Sequence, residues 1–152
     1  MNEDRIFAYI DRFEAVSFTV TRRLNALIRE CIDTELTLDQ FLTLRYIHKN
    51  KSCTASELSE IFCVNKSATT AITSRLVDKQ YITRVQDDKD RRVVSFRLSE
   101  KGTQVLEAAA SRIHELLEGF ISQFTQEEID QFLTLYEKLA SIIKRETEGN
   151  KG

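Results

Sequence analysis

The sequence contains no proline and no tryptophan, and only four glycines in 152 residues. A chain so poor in helix-breaking residues is free to run in long helices, so a mainly α fold is expected. Cysteine is scarce as well. Cys31, Cys53 and Cys63 are odd in number and form no C-x-x-C pair, and only His48 and His114 are present to join them around a metal. Neither a disulfide framework nor a zinc module organises such a chain, and no metal or cofactor is expected. The two histidines fall in helical stretches without a nucleophile or paired carboxylate at a telling spacing, so no catalytic residue is assigned and the protein is not expected to be an enzyme. Long hydrophobic runs are also missing, since no stretch free of Asp, Glu, Lys and Arg exceeds eight residues. With Glu3, Asp4, Arg5, Asp11, Arg12 and Glu14 already in the first fifteen residues, neither a signal peptide nor a membrane span fits. A soluble cytoplasmic protein is the expectation.

What is present is an ordinary globular composition, 41% apolar and 30% charged, in a length suited to one domain. The net charge of −2 argues at first against a nucleic-acid partner, but the charge is unevenly spread. Residues 51–101 hold ten basic and seven acidic groups, whereas residues 102–152 hold five and nine. A basic centre between neutral and acidic flanks is a surface suited to a polyanion.

Helix starts are well marked. Thr37 with Gln40, Thr54 with Glu57 and Thr125 with Glu128 each have the capping-box spacing, in which two orphan backbone N–H groups are satisfied reciprocally. Asn65 and Ser99 are simpler N-caps. Together with apolar residues at three- and four-residue spacing, these signals predict helices over 4–31, 38–49, 55–62, 66–79, 101–124 and 126–145, with a frayed tail at 148–152. Phe41, Leu44 and Ile47 are expected to point inward, as are Leu58, Ile61 and Phe62. Residues 81–86 and 93–98 are rich in β-branched and aromatic side chains and read as two strands joined by a polar turn, a hairpin. Three helices followed by a hairpin form the winged helix-turn-helix order, an α+β lobe within a mainly α chain.

The helix over 66–79 carries the strongest functional signal. With Ile72 centred on the buried side and Ala68 and Leu76 flanking it, the opposite face presents Lys66, Ser67, Thr70, Thr73, Ser74 and Val77, with Ala71 at the margin and Arg75 joining the same candidate site. A solvated helix face is normally filled with long charged residues, whereas this one is dominated by short hydroxyl side chains. Such a surface lets the backbone approach a major groove, where hydroxyls bond phosphates or base edges and methyls meet thymine. Asn65 and Ser67 lie at the helix N-terminus, which favours a phosphate. The same small residues would also suit docking on a protein, so a winged-helix interaction scaffold remains the alternative. In the turn, Lys89, Asp90, Arg91 and Arg92 form a second candidate site: Asp90 can pair with Arg92 and aim its guanidinium at a minor groove.

These residues carry a resemblance. Leu36-Thr37-x-x-Gln40, Glu57-Leu58-Ser59, Val64 to Thr70, Arg75-Leu76, Ile82-Thr83-Arg84, Asp88 to Val94 and Leu98 to Gly102 together are similar to the MarR family of bacterial transcriptional regulators. The resemblance implies that the helix from Lys66 enters the major groove and that Arg92, supported by Asp90, enters the minor groove. It also implies a single MarR-type domain over 1–152, with a DNA-binding lobe at 36–102 and dimerisation helices at 1–35 and 103–147. A homodimer of this kind reads a pseudo-palindromic operator, most often as a repressor released by a small ligand or a stress signal. Two departures stand out. Gln80-Tyr81 replaces the family's Gly-Leu, which predicts a differently built helix end, and Thr69 stands where an aliphatic residue is usual. The family's peroxide-sensing branch carries its cysteine early in the first helix, where this chain has Phe13, Glu14 and Ala15, so buried or inert thiols are expected.

Overall fold

The computed structural model describes residues 2–32 and 36–149. Six helices and three short strands follow in the order α1 (Glu3–Cys31), α2 (Leu38–Asn50), β1 (Cys53–Thr54), α3 (Ala55–Ile61), α4 (Lys66–Asp78), β2 (Ile82–Gln86), β3 (Val94–Leu98), α5 (Glu100–Ile121) and α6 (Gln126–Gly149). The chain divides into two compact units, one up to Ile113 and one from His114 onward.

All five capped helix starts form as the sequence predicts. Thr37 and Thr54 close complete capping boxes with Gln40 and Glu57, and Thr125 exchanges the same pair of hydrogen bonds with Glu128. Asn65 Oδ1 accepts from the Ala68 N–H at 2.9 Å, and Ser99 Oγ from the Gly102 N–H at 2.9 Å. The helix ends hold the surprises. Lys51, Cys63 and Gln80, none of them glycine, sit at positive φ just past α2, α3 and α4. After α4 the Tyr81 N–H bonds the Leu76 carbonyl (3.0 Å) and the Gln80 N–H bonds the Val77 carbonyl (2.9 Å). This double closure is the Schellman motif, and α3 ends the same way through Val64 to Ser59 and Cys63 to Glu60. The expectation of a differently built end at Gln80 is thus corrected: the geometry a glycine would favour is kept, with a glutamine held in it at a cost of about 1 kcal/mol.

In the first unit, β3 lies between β1 and β2, antiparallel to both, with Ile82 opposite Leu98 and Cys53 opposite Phe96. The two-residue β1 has no counterpart in the sequence reading. The core is built from Phe41, Leu44 and Ile47 of α2, Leu58, Leu76, Tyr81, Ile82 and Phe96, with Leu106, Ala109 and Ile113 of α5 also buried. Ile61 was expected inward but is 54% exposed, because α3 is so short that only Leu58 reaches the core. In α1 no residue is buried, and Ile6, Tyr9, Ile10, Phe13, Val16 and Val20 are exposed.

The second unit is the end of α5, a turn through Phe124 and the whole of α6. No residue of α6 is buried, and Phe132, Leu133, Tyr136 and Ile143 are exposed. The helix runs on to Gly149, so Glu148 and Gly149 are helical where fraying was expected; residues 150–152 lie outside the described residues. Among the described residues no helix is long and apolar enough to cross a membrane.

Candidate nucleic-acid interface

The candidate surface is made by α4 and by the turn between β2 and β3. Asn65 caps α4, and Lys66, Ser67, Thr70, Ala71 and Arg75 are exposed while Ser74 is half-buried. Thr73 is not on this surface. It is buried with Thr69 and Leu76, and its hydroxyl donates within the helix to the Thr69 carbonyl at 3.0 Å. The true buried line is therefore 69, 73 and 76, turned by roughly 65° from the expected one at 100° per residue. Two threonines can face a core because each hydroxyl finds a partner there. Thr69 Oγ1 lies 2.8 Å from Ser59 Oγ, which bridges α4 to α3 at the position where the sequence departs from the family's aliphatic residue. The rotation moves Ala71 from the margin to the middle of the exposed face. Sequence reasoning missed it because an alanine carries no chemical signal of its own.

In the turn, acids hold backbone and cations project. Asp87 Oδ1 accepts from the N–H groups of Lys89 (2.7 Å) and Asp90 (3.1 Å). Asp90 Oδ1 accepts from the Arg92 backbone N–H at 3.0 Å and from its Nε at 3.3 Å. The Asp90–Arg92 pair therefore forms as the sequence suggested, with the Arg92 side chain 93% exposed. Lys89 and Arg91 are exposed beside it. An exposed pair of this kind adds little stability, but it fixes where the guanidinium points. The turn thus contains three acids and still presents a basic tip.

Behind α4, its C-terminal end is fastened to the start of α5. Ser99 Oγ donates to the Gln80 carbonyl at 2.5 Å, and the Ser99 N–H donates to the Tyr81 carbonyl at 3.0 Å. Lys101 Nζ donates to the Lys79 carbonyl at 3.3 Å and lies over the Tyr81 ring, 5.2 Å from its centre. Gly102 backs onto the Tyr81 carbonyl so closely that a Cβ there would collide with its oxygen. A shallow, open concavity lined by Val77, Gln80, Ile82, Thr83, Arg84 and Ser99 borders this joint.

The cysteines differ among themselves. Cys53 is buried, and burial, with Glu57 adding to it, pushes its thiol up to about 12. It is unreactive at neutral pH. Cys31 is half-buried, 3.8 Å from the Arg112 carbonyl. Cys63 is exposed in the left-handed turn past α3, so of the thiols expected to be buried or inert it is the one that is not buried.

A helix-turn-helix whose second helix is exposed along one face, followed by a hairpin with a projecting basic tip, defines a winged helix-turn-helix protein of the transcriptional-regulator class. Residues 36–94 match the MarR family model. The HTH-type transcriptional repressor MdtR of Bacillus subtilis is 30% identical over 111 residues, covering 73% of this chain and 72% of the relative. The uncharacterised HTH-type transcriptional regulator YpoP of the same organism is 29% identical over 120 residues, covering 79% and 85%. Among solved structures, a mutant MarR from E. coli complexed with operator DNA superposes with a TM-score of 0.76 at 24% identity, covering 88% of this chain and 96% of that one. The chain belongs to the MarR family.

Proposed function

We propose that the protein is a cytoplasmic, homodimeric transcriptional repressor without enzymatic activity, which binds a pseudo-palindromic double-stranded operator and leaves it in response to a small ligand or a stress signal. The observation that carries this reading is the pairing of two exposed elements in one lobe: the α4 face and the Asp90-aligned Arg92 at the wing tip. Asn65, Lys66, Ser67, Thr70, Ser74 and Arg75 belong to the part of α4 that meets the major groove; Lys89, Arg91 and Arg92 meet backbone or minor groove, with Asp90 aligning Arg92. The operator complex of the MarR neighbour and the repressor name of MdtR support the DNA and repressor assignments. α1, α6 and the later part of α5 form the dimerisation helices, supported by apolar side chains that remain exposed at helical spacing on α1 and α6. With two copies the domain is complete as a single MarR-type unit.

Fluorescence anisotropy of a duplex from upstream of the protein's own gene, against a scrambled duplex at two salt concentrations, tests the reading. Tight binding that prefers the promoter, weakens steeply with salt and places two subunits on each duplex is expected. Weak binding indifferent to sequence at both salts would overturn it in favour of a protein partner on the α4 face.

A further inference from the structure

We infer that Ala71 is the side chain of α4 that reaches the floor of the major groove, and that its methyl group recognises the 5-methyl group of a thymine in each half-site. This rests on the regulator reading above and names what that site reads. The buried residues Thr69, Thr73 and Leu76 fix the rotation of the helix. At 100° per residue the direction opposite their mean passes within about 15° of Ala71. Ser67, one turn earlier, lies within about 30° of the same line, and the half-buried Ser74 is also small, so the first two turns of the face keep no bulky side chain on the line; the exposed Arg75 stands about 50° to its other side, where it can reach past Ala71 to the groove wall. Thr70 stands toward the edge of the face, about a quarter-turn from the line, with its hydroxyl hydrogen committed to the Lys66 carbonyl at 2.8 Å. Asp78 shares the central line at the C-terminal end, where a carboxylate is repelled by phosphates, so the half of the helix carrying Ser67 and Ala71 goes deepest. A lone methyl at that point has one strong complement among the base edges, the thymine methyl.

The test starts by enriching binding sites for the intact protein from randomised duplexes, then replaces each thymine of the enriched site by uracil, which deletes only the methyl. One thymine per half-site is expected at which uracil costs wild type about fourfold in affinity, the value of one buried methyl-sized group. That penalty should vanish in Ala71→Gly, with Ala71→Ser as the second variant should the glycine unsettle the helix, and should persist in Arg92→Ala. An enriched site with a flat uracil scan, or a penalty undiminished in both Ala71 variants, would overturn the Ala71 assignment alone. Failure to enrich any sequence would overturn the regulator reading and this inference with it.

Discussion

Between Leu36 and Leu98 the lobe buries Phe41, Leu44, Ile47, Leu58, Leu76, Tyr81, Ile82 and Phe96, whereas α1 and α6, 29 and 24 residues long, bury none of theirs. The lobe is closed by its own core, and each fully buried side chain there contributes about 1.5–3 kcal/mol. The two long helices have equally regular apolar stripes, and among the described residues most of each stripe stays exposed. Local structure is therefore complete in both regions, while tertiary structure is complete in only one. The same hydrophobic spacing means core in the lobe and an exposed apolar face in the flanks, the face proposed above as the dimer interface.

That contrast is broken most directly at the flanks. Phe13→Asp in α1 or Phe132→Asp in α6 should each weaken the dimer by at least ~3 kcal/mol, since two-fold symmetry installs every change twice. Sedimentation equilibrium reads the outcome, and an undisturbed dimer in both variants would remove the distinction between the regions. Arg92→Ala should weaken operator binding by about 1–3 kcal/mol with an unchanged melting temperature, because the side chain is almost wholly exposed and supports no core. Equal operator affinity for variant and wild type would take the wing out of the interface. Gln80→Gly should stabilise the lobe by about 1 kcal/mol, relieving the left-handed strain while keeping both Schellman bonds. A melting temperature that falls would mean the glutamine side chain does more than tolerate its backbone.

The effect expected at Cys53 is confined to alkaline pH and sharpens the picture of a closed core. Its folded pKa of about 12 lies above the ordinary thiol value of 9.0, so the folded state keeps the proton after the unfolded chain has lost it. Stability from this group is fully present below about pH 9 and declines as pH rises through about 12. Denaturant titrations from pH 8 upward should show that decline in wild type and a shallower one in Cys53→Ala. Identical slopes would mean the thiolate is accommodated where the structure buries it.

Much of this was legible in the sequence, for identifiable reasons. The caps at Thr37, Thr54, Asn65, Ser99 and Thr125 were readable because a cap is a local exchange of hydrogen bonds, complete within four residues. The Asp90–Arg92 pair was readable for the same reason. What escaped was decided at longer range. Thr69 and Thr73 look like surface residues by chemistry, and only the partners supplied by Ser59 and by the helix backbone make them core. Their burial turns the α4 face and exchanges Thr73 for Ala71 in the candidate site. The strand β1 is two residues long and exists only because β3 lies beside it. Gln80 carries no glycine's signal, yet the joint around Ser99 holds its backbone where glycine would go.

That joint also makes α5 and α4 a pair of levers riveted at one end. Because Ser99 and Gly102 fix the first turn of α5 to the last residues before β2, α5 cannot pivot there without carrying the end of α4 along. A 13-residue helix is about 20 Å long, so a tilt of only about 10° sweeps its far end through about 3.4 Å, one base-pair step. If α4 enters the groove as proposed, the match between its two copies in a dimer and the spacing of the half-sites rests, at its narrowest point, on the hydrogen bonds around a single serine.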